Sequence, residues 1–173
     1  MLDMIPSPSM AENENRLQQV LVDYGPLLSR LAASYEADPA LREDLLQDMT
    51  FSIWKALPTF RDQSSLKTFV ARVAHNRAVD HVIKRQRLAD RHSLPEDPSR
   101  LSAPLETQFP ERLDLASAIR NLPLGHRQCM ELMLEGFSHA EIGETLGLEE
   151  NTIAQRLSRG RKQLKAWLTG GPA

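Results

Sequence analysis

At 173 residues, with 41% hydrophobic and 25% charged side chains, the chain has the make-up of a soluble globular protein of one ordinary domain or two small ones, which excludes disorder throughout. Residues 1–10 lack the basic flank and apolar run of a secretion signal, no stretch nears the roughly 18 apolar residues of a membrane span, and the lone Cys129 forms no internal disulfide, so a cytoplasmic chain without membrane insertion is expected. A net charge of -2 argues against a protein that coats nucleic acid unaided.

Taken in chain order, glycine and proline divide the sequence and no useful β-type alternation appears, so the expected class is all-α, two small helical domains joined by a flexible linker. Residues 1–11 read as a disordered N-terminus. A helix over residues 12–24 meets Gly25-Pro26, which kinks it or starts a second helix reaching about Glu36. Asp38-Pro39, an N-cap followed by proline at the first helical position, opens a helix that ends before Pro58. Ser64 or Ser65 caps the next. Residues 91–110 hold Pro95, Pro98, Pro104 and Pro110 without an apolar period and form the linker between a first domain, 12–90, and a second, 111–168. The second domain has helices over residues 112–121, 126–135, 138–146 and 151–168, with joints at Gly125, Gly136 and Gly147 and a tail at 169–173.

The charges are unevenly spread. Arg72, Arg77, Lys84, Arg85, Arg87 and Arg91 face only Asp80 and Asp90, and Arg156, Arg159, Arg161, Lys162 and Lys165 face no acid in their segment. Glu36, Asp38, Glu43, Asp44 and Asp48 surround a lone Arg42. Two basic patches and one acidic patch suggest two phosphate contacts and one protein contact. After Pro39, Leu41, Leu45, Met49, Ile53 and Leu57 form a core stripe, while Asp44, Gln47, Asp48, Phe51, Trp54 and Lys55 run round the other side. Large aromatics on a charged face suit protein docking, although packing against a neighbouring helix would place them equally well. The loop over residues 58–65, with Phe60, Arg61 and Ser64, leads into a helix with Leu66, Phe69, Val70 and Val73 inward and Lys67, Arg72, His75, Asn76, Arg77 and Lys84 outward. Such a loop can hold an unstacked base and such a helix can track a single strand, against the alternative of a solvated loop before a surface helix.

Ser138-His139-Ala140-Glu141 has the spacing of a capping box, so a helix starts there. It carries Ile142, Gly143 and Leu146, breaks at Gly147, and resumes with Ile153, Leu157, Leu164 and Leu168 on one stripe. Small Gly143 permits close helix approach and Gly147 supplies a positive φ, which together predict a helix-turn-helix. Thr152, Gln155, Arg156 and Arg159 fall away from the apolar stripe, where side chains reach base edges and phosphates in a major groove. A basic solvated helix on a helical hairpin is the alternative.

These residues resemble a known family. Tyr24-Gly25-Pro26, Glu43 to Asp48, Trp54 to Pro58, Phe60-Arg61 and Asn76-Arg77-x-x-Asp80-His81 look like region 2 of extracytoplasmic-function sigma factors. Leu122-Pro123, Glu135 to Ile142, Leu146-Gly147-Leu148 and Asn151-Thr152-Ile153-x-x-Arg156-Leu157 look like region 4. The resemblance implies a non-enzymatic subunit that directs RNA polymerase to promoters of a stress- or signal-responsive regulon. Asp44, Gln47, Asp48, Phe51, Trp54 and Lys55 would then dock on core polymerase. Phe60, Arg61, Ser64, Lys67, Arg72, His75, Asn76, Arg77, Asp80, Lys84 and Arg85 would hold the single-stranded -10 element. Arg127, Thr152, Gln155, Arg156, Ser158, Arg159, Arg161 and Lys162 would serve the duplex -35 element. Core polymerase, promoter DNA and an anti-sigma factor are the implied partners, and no cofactor or metal is implied. Elements two duplex turns apart lie ~70 Å from each other, and a linker of roughly twenty residues extends ~66 to 72 Å.

The sequence departs from the family pattern at Ala154 and Gln155, where a lysine and a serine are frequent, which suggests a different -35 preference. Glu149 and Glu150 favour the helix dipole but repel a nearby phosphate. A helix-turn-helix regulator acting alone would explain the second domain and leave the basic helix around Asn76 without a purpose. A helical scaffold would explain Phe51 and Trp54 and waste both basic patches. His126 and Cys129 share a helix face but are too few to make a metal site.

Overall fold

The computed structural model describes residues 10–89 and 115–169, so the expected linker, most of the N-terminal segment and the tail from residue 170 lie outside the described residues. Those described are helical, with no strand among them. The first group is α1 (Met10–Tyr35), α2 (Pro39–Ala56), a 3-10 turn (Leu57–Thr59) and α3 (Leu66–Ala89), and the second is α4 (Leu115–Arg120), α5 (Leu124–Leu134), α6 (His139–Leu146) and α7 (Glu150–Thr169).

Helix α1 runs unbroken through Gly25-Pro26, where a kink or restart was expected. Pro26 forfeits one backbone hydrogen bond, yet Val20, Leu27, Leu28 and Leu31 stay in helical register on both sides of it and are buried against α2 and α3. That shared apolar stripe outweighs the lost bond. Near its start, Asn13 Nδ2 donates to the Trp54 carbonyl at 3.0 Å and the Arg16 guanidinium sits 5.4 Å from the Phe60 ring centre, tying α1 to the far end of α2.

Asp38 caps α2 as its spacing requires, its carboxylate accepting from the amides of Ala40 and Leu41 at 2.9 and 3.0 Å. Leu45, Met49, Ile53 and Leu57, one per turn, are fully buried, and each contributes about 2 kcal/mol by leaving water. Ser65 caps α3: its hydroxyl accepts from the Thr68 amide at 3.0 Å. Helix α3 then buries Val70, Ala71, Ala74 and Ala78, small side chains that bring α1 and α2 close.

In the second group Ile119, Leu122, Leu132, Ile142, Ile153, Leu157 and Leu164 form the core under α4 to α7. The two groups also pack together, α4 on α1 and α6 on α3.

Candidate nucleic-acid interface

The helix-turn-helix is built as its sequence implies. Ser138 Oγ accepts from the Glu141 amide at 3.3 Å, and the Ser138 amide donates to Glu141 Oε2 at 2.8 Å, closing the capping box. The hydrogen bonds from Ser138 lower the Glu141 carboxyl below its ordinary range. Gly147 ends α6 at φ +67°, and the Leu148 amide returns to the Gly143 carbonyl at 3.0 Å. A Cβ at Gly143 would stand 2.6 Å from the Leu148 carbonyl oxygen, so the turn closes only around glycine.

This turn sets the roll of α7. Ile153 and Leu157 go inward, and Gln155, Ser158, Arg159, Arg161 and Lys162 are exposed. Thr152 is half-buried beside them. Arg156 is half-buried too, near the Cys129 thiol, which burial pushes up to about 11 against the opposing pull of Arg156. Arg127, expected with this group, is 2% exposed: its guanidinium donates to the carbonyls of Arg120 and, at 3.1 Å, Leu122. It closes the α4–α5 corner and has no access to a groove. Burial pulls its pKa down, with Tyr35 and Glu131 opposing.

On α3, Asn76, Arg77, Asp80, Lys84 and Arg85 are among the exposed side chains, with Arg61 exposed and Ser64 half-buried in the preceding loop. Arg77 and Asp80 approach to 3.5 Å across an open surface, a pair of little energetic weight. Arg61 is aimed by its own loop, Nη1 donating to the Pro58 carbonyl at 2.7 Å. Arg72 is half-buried over the Phe69 ring.

Two residues expected on this face lie inside. His75 is 2% exposed and hydrogen-bonded through Nδ1 to the Tyr35 hydroxyl at 3.1 Å, and burial lowers its pKa to about 3, so it is neutral and unavailable to DNA. Phe60 is buried on Phe69 with ring centres 5.0 Å apart, so it anchors the loop instead of stacking on a base. Lys67 is drawn away as well: Nζ donates to the Glu135 carbonyl of the second group at 2.7 Å and sits 4.3 Å from the Phe137 ring centre.

The acidic patch divides in the same way. Glu36 is 3% exposed and receives the Asp38 amide at 2.9 Å, His81 Nε2 at 2.8 Å and Arg85 Nη1. Burial would raise its carboxyl, but the hydrogen bonds from His81, Arg85 and the Asp38 amide outweigh it and hold the group below its ordinary range. This clamp fixes the end of α1 to α3. It went unnoticed in the sequence, where His81 and Arg85, four apart and so on one helix face, were its only signal. Asp44, Gln47 and Asp48 stay exposed on α2 with Lys55 and with Phe51, which is 57% exposed and stacks on half-buried Trp54 at 5.8 Å. Lys55 Nζ lies 5.4 Å from the Phe51 ring centre. The aromatic pair therefore lies on a helix face that carries exposed acids and one exposed lysine.

Comparison with known proteins agrees with this division into two parts. The Sigma-70 region 2 family matches residues 21–88, and the Sigma-70 region 4 family matches residues 112–164. The ECF RNA polymerase sigma factor SigE of Mycolicibacterium smegmatis is 31% identical over 148 residues, covering 80% of this chain. The chain is an extracytoplasmic-function sigma factor of the sigma-70 family. It spans 56% of the length of that mycobacterial relative. The solved sigma factor RpoE of Bartonella quintana, in complex with the anti-sigma factor NepR, superposes with a TM-score of 0.69 at 26% identity, over 88% of this chain and 96% of that one. CnrH in complex with the cytosolic domain of CnrY shares the fold, with a TM-score of 0.67 at 22% identity over 94% of each chain. Sigma factors are promoter-specificity subunits of RNA polymerase, not enzymes. Among the described residues of this one, no helix is long and apolar enough to cross a membrane.

Proposed function

We propose that this sigma factor works in the cytoplasm as an alternative specificity subunit whose three faces divide the work of initiation. Asp44, Gln47, Asp48, Phe51, Trp54 and Lys55 dock on core polymerase. Arg61, Ser64, Asn76, Arg77, Asp80 and Lys84 hold the non-template strand of the -10 element, and Thr152, Gln155, Arg156, Ser158, Arg159, Arg161 and Lys162 read the -35 duplex. Arg85 contributes to the strand face only through the half of its side chain outside the Glu36 clamp. The observation that carries this is the pairing of an exposed polar and cationic face on α3, which Ser65 caps, with the exposed outer face of α7, which follows the capped α6.

An anti-sigma factor, such as the NepR seen on the Bartonella protein, is the proposed inhibitor. The low net charge fits a subunit that borrows DNA affinity from polymerase. The test is transcription by sigma-free core polymerase on a template library with randomised -35 and -10 regions. Added chain should enrich a defined pair of elements in the transcripts, with only weak duplex binding by the chain alone. A tight operator shift without polymerase would favour a self-sufficient regulator and overturn the proposal.

A further inference from the structure

Besides its cations, α7 carries three carboxamides, and the fold treats them differently. Gln163 is spent inside the domain, its Oε1 meeting His126 Nδ1 at 3.2 Å. Asn151 and Gln155 are exposed. Their direction follows from the buried stripe of Ile153, Leu157, Gly160 and Leu164. At Gly160 the helix lies so close to α5 that a Cβ would stand 3.2 Å from the Met130 methyl carbon, which leaves α7 little freedom to roll. At about 3.6 residues per turn, Asn151, Gln155, Ser158 and Lys162 fall on the line opposite that stripe, and all four are exposed.

We infer that Asn151 and Gln155 are the base-reading pair of this helix, each taking one adenine of the -35 element through the major groove. The inference deepens, and rests on, the assignment of α7 to the -35 duplex. A carboxamide presents an acceptor and a donor side by side, the complement of adenine, whose N6 amino group donates and whose N7 accepts. Guanine offers two acceptors there, O6 and N7, which call for arginine or lysine, and no cation stands between Glu149 and Gln155. The first exposed cation of the helix is Arg159, a turn further on.

In a helix-turn-helix the N-terminal residues of the second helix are the ones that meet base edges. Along the outer face of α7 the amides come first and the cations behind them, an order that gives bases to Asn151 and Gln155 and phosphates to Arg159 and Lys162. Four residues span roughly 6 Å of helix axis. Stacked base pairs are ~3.4 Å apart, so the two A·T pairs lie within about two steps of each other.

The experiment uses the full chain with core polymerase on a promoter recovered from the doubly randomised library, its -35 region randomised again and the transcribed templates sequenced. Wild type should enrich two A·T pairs within about two steps of each other. Gln155→Ala should lower the preference for adenine at one of them by about fivefold or more and leave the other in place, and Asn151→Ala should do the reverse. Gln155→Arg should move its own position from adenine to guanine, a gained preference that a misfolded chain cannot produce. A defined -35 element without the two A·T pairs, unchanged base preferences in all three variants, or a loss spread evenly over the element overturns the inference while α7 keeps its -35 assignment. A wild type that recovers no promoter, or shows no -35 preference at all, ends that assignment and the inference with it.

Discussion

Helices α3 and α7 both present the exposed cations proposed to meet DNA, yet they are held differently. The outer face of α7 is fixed by its own hairpin: a capping box, a left-handed glycine and the close approach at Gly143 set its roll, and Gln155, Arg159 and Lys162 then point to solvent. Helix α3 has its roll set from a distance, by Tyr35 on His75, by Glu36 on His81 and Arg85, and by the second domain on Lys67. A reading face set locally stays correct wherever its domain travels. One set by distant partners changes when those partners leave.

The largest effect that would sharpen this contrast comes from charge reversal. Arg77→Glu and Arg159→Glu should each lower promoter-specific transcription by roughly tenfold to a hundredfold, the range expected when a contact of about 1–3 kcal/mol is lost and a repulsion added. Footprinting should separate them. Arg159→Glu loses -35 protection, whereas Arg77→Glu keeps it and loses permanganate reactivity at the melted -10 strand. Equal footprints from both variants would erase the distinction between the helices.

A smaller effect is expected from Gly143→Val. Its side chain meets the Leu148 carbonyl, a backbone group that moves only if the turn opens, and overpacking of this kind costs about 1–3 kcal/mol. Calorimetry should show the second domain melting earlier and the first unchanged, and binding of single strands should persist. A uniform loss across both domains would mean that α7 is not fixed locally.

The smallest effect is in pH. Burial, with the charge of Glu135 adding to it, raises Glu131 to about 7 against the opposing Ser34, Arg127 and Arg120. The folded protein thus keeps a proton that the unfolded chain releases near the ordinary value of 4.5, so this contribution to stability is complete below 4.5 and fades as pH rises through 7. His75 works in the opposite sense: the folded state refuses a proton that the unfolded chain takes up near 6.5, so its contribution is complete above 6.5 and fades as pH falls toward 3. Glu131→Gln should raise the melting temperature at pH 8 by a few degrees and leave it unchanged at pH 5. An equal rise at both values would rule out the carboxyl as the cause.

What the sequence made legible was what neighbours along the chain decide. The Asp38 cap, the Leu45–Met49–Ile53–Leu57 stripe, the capping box and the Gly147 turn follow from spacing alone. The misplaced residues are those whose surroundings come from other helices. Phe60 sits in a polar loop, and nothing nearby in the sequence announces Phe69 and Arg16 closing over it. His75 looked outward because α3 is polar on several sides, while Tyr35, forty residues earlier, is what receives it. Charge suggested exposure for Arg127 and Glu36, yet both are buried with their hydrogen-bonding partners supplied by backbone carbonyls in one case and by α3 in the other.

The brace formed by Asn13 and Arg16 bears on how the chain tolerates alteration at its start. A protease or a cloning scheme that trims past Arg16 removes none of the residues proposed above to face promoter or polymerase. It would nonetheless free the Trp54 carbonyl and uncover Phe60, loosening the loop that aims Arg61. The opening turns of α1 would thus be a remote support for the proposed strand capture.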